Sequence, residues 1–369
     1  MHHHQVYQLK SEKKMKKISS LLLAAAMTLG FAACDKTDNP SNPTIDPTTE
    51  GQVIIKEINV GGSVKASTGK GAYSGCKGII LYNNGGKAVT LSNFGIAFSA
   101  PMNANVENKN VVDGKLYFEA EGWIPALQGL WYYPGSVTIQ PYSDFVIALT
   151  SAIDHTQTTD GALMFDLSNA DMACYDLDVF NNKDQYEAPA KVTEDKWMKG
   201  FKYTTANAWP VSILCPALYI FSAPTTVTLS TWLADEANAT FVNGDTKQSV
   251  ANKAAKIPMD WVIDGVELYQ TTTVEKSTKR LPASIDAGYG LYQSGKCYSA
   301  YRNIDEKATA NLGDNINKLV YGYDQGVEGT TDPSGIDAAA SAKNGAKIVY
   351  QDTNNSSIDF HLRKEWSLK

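Results

Sequence analysis

Histidine, the commonest catalytic side chain, is scarce in this chain. After the leading His2, His3 and His4, only His155 and His361 remain. A zinc hydrolase needs two or three imidazoles and a carboxylate around an open position. That chemistry would require His155 and His361 to meet beside Asp154 or Asp359, and the plainer expectation is a loop histidine and an edge histidine with separate partners. Ser67-Thr-Gly-Lys70 fits Ser-x-x-Lys but lacks the Ser-Asp-Asn and Lys-Thr-Gly segments that accompany it in serine acylases. There is no Gly-x-Ser-x-Gly elbow and no His-Glu-x-x-His. Gly69-Lys70-Gly71 and Gly85-Gly86 are too short to cradle phosphate and read as turns. No catalytic residue is assigned, and the chain is expected not to be an enzyme.

Two other groupings could bind rather than react. Asp176, Asp178 and Asp184, with Asn181 and Asn182, supply the hard oxygens calcium prefers. They lack the glycine and the closing glutamate of an EF-hand, so a solvated acidic loop is preferred, and calcium is the one cofactor the residues admit. Trp123, Trp131, Tyr132 and Tyr133 cluster among Gly122, Pro125, Gly129, Pro134 and Gly135, and Trp197, Phe201, Tyr203 and Trp209 cluster further on. Loop tryptophans and tyrosines offer rigid area with a polar tip, suited to sugars or protein hot spots. The competing expectation is that they plug long loops onto the body of the fold.

Other segments give an address. Ser19 to Ala33 is apolar or small, follows Lys13, Lys14, Lys16 and Lys17, and is too short to span a bilayer. It closes on Ala32-Ala33-Cys34, the pattern of a lipobox. Residues 1–33 are therefore read as a signal peptide, with Met15 an alternative start, and Cys34 as the lipidated residue. The stretch 34–51 is rich in Asp, Asn, Thr and Pro and reads as a flexible linker. Asp35, Lys36 and Asp38 form a partial version of an acidic-plus-lysine pattern that resembles a surface-export tag. The chain is thus expected at the outer membrane, lipid-anchored, facing the cell surface rather than the periplasm.

Beyond residue 33 the chain carries 28 basic and 38 acidic residues, and its three arginines are Arg280, Arg302 and Arg363. A basic nucleic-acid footprint is absent. Cys76, Cys174, Cys215 and Cys297 contain no Cys-x-x-Cys pair, and an oxidising compartment leaves buried thiols and disulfides equally open.

Short alternating runs divided by Gly, Asn, Asp and Pro predict an all-β body over 52–369. Strands are expected at 52–60, 77–83, 87–98, 217–221, 225–229, 261–268, 298–302 and 347–350, and Val137 to Leu149, with Pro-Tyr-Ser-Asp inside it, reads as a turn followed by a buried strand. Asn84-Gly85-Gly86 predicts a hairpin between the second and third. Helices are expected at 249–256 and 335–342.

The order of these pieces resembles a lamin-tail-type domain, an immunoglobulin-like β-sandwich. The residues that carry the resemblance are Ile55-Lys-Glu-Ile58, Ile80-Leu-Tyr-Asn83, Ala88-Val-Thr-Leu-Ser-Asn-Phe94 and Ile139-Gln-Pro-Tyr-Ser-Asp-Phe-Val-Ile-Ala148. Looser matches are Leu167-Ser-Asn-Ala-Asp171, Val262-Ile-Asp-Gly-Val266, Tyr298-Ser-Ala-Tyr-Arg302 and Thr353 to Phe360. His155-Thr156, Phe165 to Asp171 and Cys174-Tyr-Asp176 are further similar to an uncharacterised family of Bacteroidota outer-membrane lipoproteins with such a core. The resemblance implies one sandwich with long insertions near 99–135, 177–214 and 303–345. It also implies a non-enzymatic partner of a TonB-dependent receptor or its cargo in nutrient uptake. The alternative is a carbohydrate-binding or adhesive surface module.

Overall fold

The computed structural model describes residues 50–327 and 329–368. Cys34, the signal segment and most of the linker lie outside the described residues. Twelve strands form one mixed sheet: β1 Val53–Asn59, β2 Gly78–Asn83, β3 Val89–Phe98, β4 Gly129–Ile139, β5 Asp144–Ala148, β6 Met172–Cys174, β7 Trp197–Lys202, β8 Ala217–Ser222, β9 Val262–Gln270, β10 Gly290–Tyr292, β11 Ser299–Arg302 and β12 Phe360–Arg363. Their order is β10-β9-β8-β3-β4-β7-β6-β5-β2-β1-β11-β12.

The edges β10 and β12 meet without a ladder. A Cβ added to Gly290 would stand 3.5 Å from Phe360 Cβ. The Ser357 hydroxyl accepts from Tyr289 N–H and donates to the Tyr289 carbonyl, each at 3.0 Å. The sheet is thus a nearly closed barrel, filled by a core that includes Ile55, Ile79, Phe94, Ile96, Trp131, Tyr219 and Leu268.

This overturns the expected immunoglobulin-like sandwich. Such a sandwich is two antiparallel sheets face to face. Here β5, β6 and β7 run parallel to one another and join the halves into one sheet, and β9 and β10 are parallel as well. The quoted motifs do form neighbours, since β2 lies between β1 and β5, but their wider connections differ. The hairpin expected at Asn84-Gly85-Gly86 is not formed, because β3 pairs with β4 and β8 instead. Asn83 and Asn84 explain the turn: Asn83 Nδ2 donates to the Lys87 and Ile139 carbonyls, and Asn84 exchanges two hydrogen bonds with the Tyr350 backbone.

β1 and β2 are buried along their whole length because both faces are covered. Ile304, Ile336, Ile348 and Tyr350 pack on Ile54, Tyr82 and Tyr301. Phe165 and Trp366 stack at 4.5 Å in a second cluster with Cys76 and Ile80. A bulge between Ile55 and Glu57 lets Ile55 and Ile58 enter the main core while Lys56 and Glu57 both leave it.

The stretches 99–135 and 177–214 contribute to β4 and β7, and Trp123–Leu127 pairs with Lys253–Pro258 in a small antiparallel sheet. Residues 249–256, expected helical, form a single 3-10 turn at Val250–Asn252 and then enter that strand. Residues 225–229, expected as a strand, lead into the helix Leu229–Ala234. The expected helix near 335–342 is present as Ala338–Lys343, capped by the Asp337 carboxylate accepting from Ala340 N–H. No helix among the described residues is long and apolar enough to cross a membrane.

Candidate functional site

All three arginines are buried. Arg302 on β11 donates to the Ile55 carbonyl at 2.8 Å, to Asp264 at 2.6 Å and to Asp352 at 3.0 Å, with Asp359 at 3.6 Å. Asp264 also accepts from Ile55 N–H at 2.6 Å. Burial disfavours the Arg302 cation, yet the surrounding carboxylates raise its pKa further. Arg280 is held by Glu267 at 2.9 Å, and the Arg363 guanidinium lies 4.9 Å from the Tyr301 ring centroid. These groups lock strands together and face no solvent at which to react.

The two histidines belong to separate networks. The His155 ring contacts the Tyr73 hydroxyl at 2.7 Å and the Ser151 carbonyl at 2.9 Å. That carbonyl needs a donor, so Nε2 carries the proton and Nδ1 accepts from Tyr73. His361 contacts the Tyr323 hydroxyl at 2.6 Å and Asn303 Oδ1 at 2.7 Å. Burial lowers both pKa values, and burial with the nearby Arg363 pushes His361 down to about 3. Among the described residues no three His, Cys, Asp or Glu side chains are grouped to hold a metal. Asp176 instead accepts from Gly200 N–H at 3.1 Å, Asn182 accepts from Asp184 N–H, and Asp178 and Asp184 face solvent. Cys76, Cys174 and Cys215 are buried free thiols, and Cys297 is buried as well.

The aromatic candidates are packed rather than displayed as a platform. Trp131 lies 5.0 Å from Phe180 and 5.5 Å from Tyr186, and Trp209 lies 5.4 Å from Phe98. Trp123 sits on Phe118, and Tyr132 is buried in the same core. Trp197 and Tyr133 are half-buried. Trp197 packs on Tyr175 and donates to the Val192 carbonyl, and the Tyr133 hydroxyl donates to the Asp195 carbonyl.

A residue that sequence reasoning passed over stands out instead. Tyr142, between β4 and β5, is held at φ +51°, a left-handed conformation unusual for a bulky side chain. It lines two adjoining cavities, of about 630 and 240 Å³, that also share Ala346. Gly86, Gly313, Asp314 and Lys347 surround the first. Lys347 Nζ lies 2.6 Å from Asp314 and 5.6 Å from the Tyr142 ring centroid. The hydrogen bond between Lys347 and Asp314 raises the lysine pKa and lowers that of the carboxyl.

Behind them, Lys56 Nζ contacts both Asp144 oxygens at 2.5 and 2.6 Å. It sits 5.7, 5.8 and 5.7 Å from the rings of Tyr82, Tyr301 and Tyr350. A third cavity, of about 560 Å³, lies at the seam between β10 and β12. Its His361 and Ser357 are already engaged within the protein. The Pro-Tyr-Ser-Asp turn was the one sequence signal near Tyr142. Asp314 and Lys347 are brought together from distant positions, with no local signature.

The molecule is therefore a filled, mixed-sheet β-barrel with a polar groove at its rim. A family model described as a protein of unknown function (DUF4876) matches residues 140–318. The crystal structure of a DUF4876 family protein from Bacteroides thetaiotaomicron shares this fold at 21% identity, with a TM-score of 0.59 over 84% of this chain and 70% of that one. The chain is thus similar to an uncharacterised Bacteroidota family, a likeness that does not extend to a lamin-tail core. A search of curated proteins finds no match.

Proposed function

We propose that this chain is a non-enzymatic cell-envelope lipoprotein, anchored through Cys34 at the outer membrane. It binds a TonB-dependent receptor, or that receptor's cargo, during nutrient uptake. The observation that carries this reading is the combination of a cysteine-closed leader with a barrel filled by side chains. A filled barrel offers no passage for a solute, so on this reading recognition falls to the outer face and the rim. A second reading, a carbohydrate-binding surface module, is favoured by the groove at Tyr142.

The test is a crosslinked pull-down from outer membranes of the native host, with mass spectrometry of what co-purifies. A TonB-dependent receptor at near-equal amount is the expected result. Recovery of the lipoprotein alone overturns the receptor reading and puts the carbohydrate module first.

A further inference from the structure

We infer that the groove around Tyr142 is a binding site for a neutral sugar unit of a polysaccharide. The inference rests on the reading of the chain as an envelope binding protein and names the class of its cargo.

Three observations converge there. The first is conformational. A left-handed residue with a Cβ costs about 1–2 kcal/mol relative to the ordinary helical region, and such strain gathers at ligand sites. Glycine would relieve it at φ +51°, yet the position holds a tyrosine whose ring is only half-buried. The second is shape. Gly86 and Gly313 put no side chain at the mouth, and Ala338, Ala342 and Ala346 give the inner cavity small walls.

The third observation is polar pattern. A sugar hydroxyl both donates and accepts, so neighbouring hydroxyls on a pyranose match a donor and an acceptor set side by side. Lys347 and Asp314 present an ammonium and a carboxylate 2.6 Å apart at the exposed rim, and Lys56 with Asp144 repeats the arrangement within. An ammonium has three N–H groups and a carboxylate about four lone-pair sites, so each pair keeps capacity after meeting its partner. Each pair is electrically balanced, which favours a neutral sugar over a uronate or a phosphate. The tyrosine ring beside them suits the apolar face of the same sugar.

The test is affinity gel electrophoresis of the folded protein through amylopectin, xylan, β-1,3-glucan, mannan and, as the charged comparison, polygalacturonate. At least one neutral polysaccharide is expected to retard the wild type. Tyr142→Gly removes the ring while accepting the left-handed backbone, so it should keep its melting temperature and lose retardation about tenfold or more, a difference of about 1.4 kcal/mol. Lys347→Met should weaken retardation in the same direction. Tyr321→Ala, at an exposed tyrosine outside the groove, should leave it unchanged.

Absence of retardation by all four neutral polymers overturns the inference. So does retardation that Tyr142→Gly leaves intact, or retardation by polygalacturonate alone. If the receptor is recovered in the pull-down while no neutral polymer is bound, the sugar site fails and the receptor reading stands.

Discussion

The Arg302 clamp and the Lys347–Asp314 pair contain the same chemistry in opposite settings. Arg302 is buried among Asp264, Asp352 and Asp359, and its donors are also spent on the carbonyls of Ile55 and Gln351. Lys347 and Asp314 have side chains 45% and 66% exposed and join two surface loops. Removing a charge from water is costly, and that cost is met only when every partner is in place. The buried clamp therefore cannot exchange partners without loss of the fold. The rim pair meets water on most of its surface, contributes little to stability and can turn toward a ligand.

The comparison breaks most visibly at Arg302. Arg302→Met strands buried carboxylates and should lower the unfolding free energy by about 3–5 kcal/mol, read as an earlier urea midpoint. Adding Asp264→Asn should recover part of that loss, and a double variant no better than the single would show that the two are not coupled.

The next effect is a pH dependence at His361. The ring is pushed down to about 3 in the fold and titrates near 6.5 in an unfolded chain. Between those values the unfolded chain binds the extra proton. The stability contributed by the neutral ring is full above pH about 6.5 and is lost as pH falls toward 3, by up to a few kcal/mol. Burial raises the Glu57 carboxyl, so its contribution runs the other way, present at low pH and lost as pH rises. The readout is therefore the difference between variant and wild type. His361→Gln should flatten the acid side of the stability curve, and an unchanged acid slope would assign that loss to other groups.

The smallest stability effect belongs to the rim. Lys347→Met should leave the melting temperature where it was while weakening polysaccharide retardation. A clear drop in melting temperature would make the pair a structural clamp like the buried one and erase the contrast.

What the sequence disclosed follows the same division. β1, β2, β8 and β9 are dense in Val, Ile, Leu and Tyr, and their positions were legible because a run buried on both faces needs nothing else to mark it. Their neighbours were not legible. Partner choice depends on hydrogen bonds between residues far apart in the chain, such as those of Asn84 with Tyr350. Residues 249–256 carry an Ala-Lys composition that favours helix, and pairing with Trp123–Leu127 overrides it. Tyr142 gave no warning, because no residue type but glycine or asparagine advertises a positive φ. The tryptophans were visible as clusters, but a sequence does not say whether a loop turns its aromatics outward or folds them into the core.

Strand β1, near the start of the described residues, is flanked by β2 and by β11, and the Glu57 carboxylate accepts from Ser367 N–H at 3.2 and 3.3 Å and from its hydroxyl. This side of the sheet is therefore completed only by residues 310 positions further along the chain. Chains that depend on such distant contacts fold slowly. A nascent copy held in a narrow passage has little native structure to unravel, and the barrel can take shape only after β12 has emerged.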